Sequence, residues 1–320
     1  MAHSYETLLL DKQDRVAVIT INRPDKRNAL NIKTREEGAA LLDELRNDDS
    51  VRVVVFTGAG DKAFIAGADI AEFAGRTSIT QRDVMMSRSL FTAIDGFPKP
   101  VIAMINGYCL GGGCELAVYS AKRVAAMESY IGLVEVGVGL VPGAGGLTYI
   151  ARRAAENAAA STGSDLLPFL TEGFTAAAMA KVGTSALESK KLGYLLDSDV
   201  VVPNKDELLY VALQQAKAMA DAGWRPPLRR LFKVAGRSGA ATIKGQLVNM
   251  RDGGFISAHD FHIAGLIAEV VTGGDIDAGS LVTEEYLMAL ERKAFCSLIV
   301  HPKTQERIMG MLSTGKPVRN

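Results

Sequence analysis

Three runs rich in β-branched residues, each passing through a turn into a helix-like stretch, constrain this chain more than any other feature. Val16-Ala-Val-Ile-Thr-Ile21 reads as a strand and is ended by Arg23-Pro24-Asp25; a helix pattern follows from about Thr34 to Arg46. Val51 to Phe56 is a second strand, closed by Thr57-Gly-Ala-Gly60, and a polar helical stretch follows over roughly Thr80 to Ile94. Pro98-Lys99-Pro100 introduces a third strand, Val101 to Ile105, after which Asn106-Gly107 turns the chain. Strands alternating with helices predict an α/β class with largely parallel pairing. Glycine is dense from Gly107 to Gly146, where the backbone is expected to approach a ligand or to pack tightly on itself. The Ala-rich stretch Ala151 to Ala180 predicts helices and a loop. Beyond Trp224-Arg-Pro-Pro227 few strand signals remain, and Thr283 to Met311 reads as mostly helical. A domain over 1–226 and a helical C-terminal region over 227–320 are therefore expected.

Charge narrows the partners. Lysine plus arginine and aspartate plus glutamate number 36 each, so no basic excess points to nucleic acid or an anionic membrane. An anionic ligand must then be met by local donors rather than by the field of the whole protein. The three cysteines, Cys109, Cys114 and Cys296, fit neither a zinc framework nor a redox pair, which suggests a reducing compartment. Met1 to Asp14 is polar and mixed in charge, unlike a signal peptide. Val101 to Ala121 is the most apolar stretch, but Asn106, Glu115 and a Gly triplet argue against a membrane span. A cytoplasmic setting is expected.

Two loops could carry chemistry. Gly111-Gly-Gly-Cys-Glu-Leu116 follows the third strand and precedes a helix, where bare N–H groups and the helix dipole can meet developing negative charge. The same glycines also suit a tight strand-to-helix turn, and shape alone does not separate the two readings. Phe64-Ile-Ala-Gly-Ala-Asp-Ile70 is a second small-residue loop after a strand. Both loops would lie at the carboxyl edge of a parallel sheet, where ligands tend to bind. Glu115 and Glu135 each stand alone in an apolar segment. The commoner fate of such a glutamate is partial exposure or pairing with a cation. If both are buried in one cleft, two carboxyls in different protonation states could add water: one takes a proton from it, the other supplies one to carbon. His259 and His262 lack a third ligand, so no metal is expected. Gly137-Val-Gly139 lacks the third glycine of a dinucleotide fingerprint.

Four stretches closely resemble the crotonase (enoyl-CoA hydratase/isomerase) superfamily: Ile21-Asn-Arg-Pro-Asp-Lys-Arg-Asn-Ala-Leu-Asn31, Phe64 to Ile70, Asn106-Gly-Tyr-Cys-Leu-Gly-Gly-Gly-Cys-Glu-Leu116 and Gly132-Leu-Val-Glu-Val-Gly-Val-Gly-Leu-Val-Pro-Gly-Ala-Gly-Gly146. Their order and spacing agree as well, and the resemblance covers most of the chain, least clearly Ala151 to Phe174. It implies a crotonase-like spiral of ββα units with a helical C-terminal region that helps form homotrimers, often paired into hexamers. It implies an acyl-CoA thioester substrate and no separate cofactor, coenzyme A being part of the substrate. It further implies an oxyanion hole from the backbone N–H groups of Ala68 and Gly112, catalytic roles for Glu115 and Glu135, and a coenzyme A path along Lys26, Ala29, Ala66, Asp69 and Ile70. Glu115 would deprotonate the attacking water, and Glu135 would help hold it and serve the α-carbon proton. Retention of both glutamates favours enoyl-CoA hydration over Δ3,Δ2-isomerisation; an acyl-CoA-binding protein of this fold with little catalysis stays open as an alternative.

Two departures stand out. Leu133-Val134 occupies the place where many hydratases carry Gln-Pro. The first part resembles stand-alone hydratases. The part after about residue 120, including Tyr130 to Gly139 and the ending Lys303 to Asn320, resembles the hydratase module of proteins fused to a 3-hydroxyacyl-CoA dehydrogenase. A hybrid would have its seam near Leu116 to Ser120, inside the active site, where poor packing would lower activity.

Overall fold

The computed structural model describes residues 5–87, 90–94, 96–162 and 165–320. These form two compact units, both discontinuous in sequence. One draws on Met1–Asp69, Ser87–Gly132 and Val182–Leu228, the other on Ile70–Met86, Leu133–Lys181 and Arg229–Asn320.

The first unit is the α/β part. Its six-stranded sheet runs in the order Leu8–Gln13, Val16–Ile21, Val53–Gly58, Val101–Ile105, Lys122–Ala126 and Val200–Val202. The first pair is an antiparallel hairpin; every later pair is parallel. Asp14 and Arg15 both take positive φ (47° and 68°), as a two-residue hairpin turn of the primed type requires. Alternate residues Val16, Val18, Val53, Val55, Ile102, Met104 and Val124 form one buried face, covered by Leu208, Ala212 and Ala216 of the helix Leu208–Asp221. The intervening Ala17, Ile19, Val54, Phe56, Ala103 and Ile105 are buried on the other face. Burial on both faces is why these strands appear in the sequence as near-continuous apolar runs.

A second, three-stranded parallel sheet joins Ala63–Ile65, Tyr108–Leu110 and Tyr130–Gly132. Each of its strands follows one of the long strands, so the unit repeats a long strand, a short strand and, after Leu110, the helix Gly112–Tyr119. This is the ββα spiral that the resemblance implies. The strand Lys122–Ala126 was not evident in the sequence because it opens on two cations; Arg123 is nonetheless buried. Asp199 compensates it: Arg123 Nε donates to Oδ2 at 2.7 Å and its N–H to Oδ1 at 3.0 Å. Packing runs unbroken through Leu116 to Ser120. Leu116, Ala117, Val118 and Ser120 are buried, Ser120 Oγ donates to Leu116 O, and Ile102 to Ile105 pair in register with Lys122 to Ala125.

The helix Ile32–Arg46 begins at Asn31, whose side chain accepts from Thr34 N at 2.8 Å. The stretch read as one helix from Thr80 to Ile94 is occupied by Ser78–Met86, in the second unit, and Leu90–Ile94, in the first; Arg88 and Ser89 lie outside the described residues.

The second unit is mainly helical: Ser78–Met86, Gly146–Ala160, Leu167–Ala178, Gly236–Asp252, Ala258–Thr272, Glu284–Ile299 and Pro302–Thr314, with the short antiparallel pair Phe232–Lys233 and Leu281–Val282. Gly145 precedes the helix Gly146–Ala160 and offers no side-chain cap. Buried Glu291 does so from Glu284–Ile299, accepting from Leu147 N, Thr148 N and Thr148 Oγ1 at 3.1, 3.3 and 2.6 Å. Among the described residues no helix is long and apolar enough to cross a membrane.

Candidate oxyanion site and carboxylates

In the first unit two segments are laced together. Ala66 N donates to Arg27 O (3.1 Å), Leu30 N to Gly67 O (2.9 Å) and Asp69 N to Leu30 O (3.0 Å). The pattern is that of a parallel bridge between Leu30 and Ala68, whose alternation leaves the Ala68 N–H turned away from Leu30. The preceding loop is held by two side-chain amides. Asn28 Nδ2 donates to Ala59 O and Ala63 O, and Asn106 Nδ2 to Gly58 O and Gly60 O, all within 3.0 Å.

The second donor stands at a helix start. Gly112 is the first residue of Gly112–Tyr119, so its N–H has no place in the helical ladder. Among the described residues neither the Ala68 nor the Gly112 N–H meets a protein acceptor. A Cβ built on Gly112 would lie 3.8 Å from Ala68 N, so the two donors border one small space. A glycine of positive φ precedes each: Gly67 (100°) before Ala68 and Gly111 (51°) before Gly112. Other residues rarely adopt that conformation. Gly113 fixes the helix against the strand Ala63–Ile65, since a Cβ there would stand 2.2 Å from Ile65 O. Two N–H groups, one at a positive helix end, are suited to a carbonyl oxygen gaining negative charge.

Glu115 lies in the first turn of the same helix and is buried, 3% exposed. The helix dipole favours an anion at that end. Lys26 is exposed at the end of the turn Pro24–Lys26, and Ala29 and Ala66 are half-buried. Asp69 accepts from Arg23 Nη2 at 2.9 Å, so its carboxylate ties down the loop itself. The first unit thus brings together Lys26, Ala29, Ala66, Ala68, Asp69, Gly112 and Glu115. Ile70 and Glu135 belong to the second unit. There Glu135 opens the 3-10 turn Glu135–Val138, closed by Gly139 at φ 82°, and its Oε2 is buried. Cys109, in the short strand Tyr108–Leu110, is fully buried, and burial pushes its thiol up, away from any nucleophilic role. Among the described residues no group of three or more His, Cys, Asp or Glu side chains could hold a metal ion.

Gly67 and Gly111 lie inside the two small-residue loops that composition singles out, and each directly precedes a donor. The clamping roles of Asn28 and Asn106 leave no local signal, because their carbonyl partners are distant in the chain.

A family model described as enoyl-CoA hydratase/isomerase matches residues 11–184, more than half of the chain. The chain belongs to the enoyl-CoA hydratase/isomerase family. Relatives within or beside the family include a probable 3-hydroxyacyl-CoA dehydrogenase of Bacillus subtilis, 42% identical over 227 residues, 69% of this chain and 28% of that protein. A short-chain-enoyl-CoA hydratase of Clostridium acetobutylicum is 42% identical over 146 residues, 45% of this chain and 56% of that one. The chain therefore spans about a quarter to just over half the length of these relatives. Among solved structures, an enoyl-CoA hydratase of Mycobacterium avium subsp. paratuberculosis shares the fold, with a TM-score of 0.62 at 19% identity over 96% of this chain and 99% of that one. An enoyl-CoA hydratase/carnithine racemase from Magnetospirillum magneticum gives a TM-score of 0.56 at 29% identity, over 68% and 75% of the two chains.

Proposed function

We propose that this family member adds water to trans-2-enoyl-CoA thioesters. The single observation that carries the reading is the pair of N–H groups, Ala68 and Gly112, bordering one space at a helix start. They would receive the thioester oxygen as it gains charge in the enolate. These donors are laid down before reaction and need no reorganisation, which is where such sites gain most of their effect. Glu115 takes a proton from the water whose oxygen bonds to the β-carbon. Glu135, protonated at the start of the cycle, helps hold that water and gives its proton to the α-carbon, and the proton gained by Glu115 passes back to Glu135 through solvent, so that one water is consumed and one C=C bond is lost. Lys26, Ala29, Ala66, Asp69 and Ile70 follow the coenzyme A moiety, which is part of the substrate; no other cofactor takes part. The protein acts in the cytoplasm as a homotrimer or hexamer, with residues 227–320 as the assembly region.

The test is loss of the conjugated enoyl-thioester absorbance with crotonyl-CoA, for wild type, Glu115→Gln and Glu135→Gln. Wild type is expected to turn over, and each variant to lose about 10²–10⁴ in kcat while staying folded, the usual contribution of a positioned acid or base. A folded wild type that binds the thioester without consuming it would overturn the hydratase reading. Migration of the double bond in place of hydration would identify an isomerase.

A further inference from the structure

The turn that carries Glu135 is gripped, within its own unit, by a single helix. Thr304 and Arg307 stand one turn apart on Pro302–Thr314. Thr304 Oγ1 donates to Gly139 O at 2.7 Å, and Arg307 Nη1 to Val136 O at 3.0 Å. The spacing of three on the helix matches the spacing of three on the turn, read in the opposite direction. The turn's own bonds include Gly137 N to Val134 O, Gly139 N to Val136 O and Glu135 O, and Leu140 N to Glu135 O. So short a segment has little intrinsic stability and depends on outside partners for its shape.

The grip is itself anchored. Arg307 is fully buried, and the same Nη1 reaches Asp260 Oδ1 at 2.8 Å while Nε donates to Asn320 Oδ1 at 2.8 Å. Asp260 completes a capping box with Ser257 at the start of the helix Ala258–Thr272. Thr304 is buried, and its hydroxyl lies 3.0 Å from His259 Nε2. A hydroxyl has one hydrogen, and here it goes to Gly139 O, so His259 must donate through Nε2. The helix also comes too close for any side chain at Gly139, whose Cβ would stand 2.8 Å from Thr304 Cα. The backbone on both sides of Val136 to Gly139 is thereby fixed from one rigid element.

We infer that Thr304 and Arg307 are positioning residues for Glu135, holding the turn that aims its carboxylate. This rests on the reading of Glu135 as a catalytic group. The two residues touch no substrate; they act through the carbonyls of Gly139 and Val136. Thr304→Val keeps the side-chain shape and removes the hydroxyl. With crotonyl-CoA it is expected to lower kcat about tenfold, in keeping with the sensitivity of rates to small displacements of a catalytic group, with KM little changed. Thr304→Ser, which keeps the hydroxyl, restores the rate. Arg307→Lys lowers kcat in the same way. Thr304→Ala is measured beside them, with thermal melting of each, so that one folded hydroxyl-free variant is scored.

The discriminating step is the double variant. In a Glu135→Gln background, Thr304→Val is expected to cost no further activity, because the group it positions is already gone; a merely structural role would lower the rate by the same factor in both backgrounds. Equal losses in the two backgrounds, or a folded Thr304→Val or Thr304→Ala at wild-type kcat beside a crippled Glu135→Gln, overturn the positioning role alone. Glu135→Gln at wild-type kcat overturns the assignment of Glu135 and this inference with it.

Discussion

Replacing Gly112 by alanine separates chemistry from folding at the proposed oxyanion site. The added Cβ would lie 3.5 Å from Phe91 Cζ and 3.8 Å from Ala68 N, both ordinary van der Waals distances. Gly112 sits at a helix start, so no left-handed backbone has to be abandoned. Alanine is the better helix former by up to about 1 kcal/mol, so the melting temperature should hold or rise. A thioester oxygen must come within roughly 2.7–3.1 Å of both nitrogens, and the new methyl stands beside that space. The N–H of residue 112 is kept, but a methyl that holds the oxygen away from one donor forfeits that donor's contribution, about 2.7–4 kcal/mol of transition-state stabilisation or about 10²–10³ in kcat. Gly113→Ala is the control. The same methyl one residue later would stand 2.2 Å from Ile65 O, a backbone atom that cannot swing aside, and 2.7 Å from Ile65 Cβ. That substitution should destabilise by at least about 1–3 kcal/mol, the usual cost of overpacking. Thermal melting and crotonyl-CoA turnover of the two variants give the four numbers needed. Gly112→Ala at wild-type kcat would refute the oxyanion assignment. Equal destabilisation of the two variants would refute the steric reasoning.

Two further outcomes follow from buried charge. Asp199→Ala strands Arg123 in the core together with the N–H groups of Arg123 and Leu196, which also bond to that carboxylate; urea unfolding should show a loss of about 3–5 kcal/mol, and a loss near zero would mean that the pair contributes nothing. His259 is held down to about 4 by burial first, then by Arg307, His301, His262 and Lys303. Because the unfolded chain takes up this proton near the ordinary value of 6.5, the folded state loses stability as pH falls from about 6.5 to about 4, by about 3 kcal/mol in all. His259→Gln should remove that part of the stability–pH slope, measured by urea melts across the window; an unchanged slope would place the titration elsewhere.

Sequence patterns were informative where the physics is local. Val16–Ile21 and Val101–Ile105 stood out because strands buried on both faces must be apolar throughout. Lys122–Ala126 did not, because its buried cation is answered by Asp199, 76 residues away. The three-residue strands of the second sheet are too short to show any period. At the site, the glycine-rich loops and the lone glutamates were visible as chemistry out of place in apolar segments. The grip on the Glu135 turn was not: its hydrogen bonds join residues 165 and 171 positions apart, and neither Thr304 nor Arg307 stands out among its neighbours.

The two asparagine clamps tie the site to distant parts of the chain. The loop between Gly58 and Ala63 draws four of its carbonyl partners from Asn28 and Asn106, across separations of 31 to 48 residues. Local propensity cannot supply those partners, and closing such loops costs chain entropy before any bond is returned. Two of the four bonds come from Asn106, so the loop has its full set of clamps only when the strand Val101–Ile105 is in place beside it. The segment that leads into Ala68, one of the two proposed oxyanion donors, is thus shaped by contacts distant in sequence, and the site is tied to the sheet as a whole rather than to its own loop.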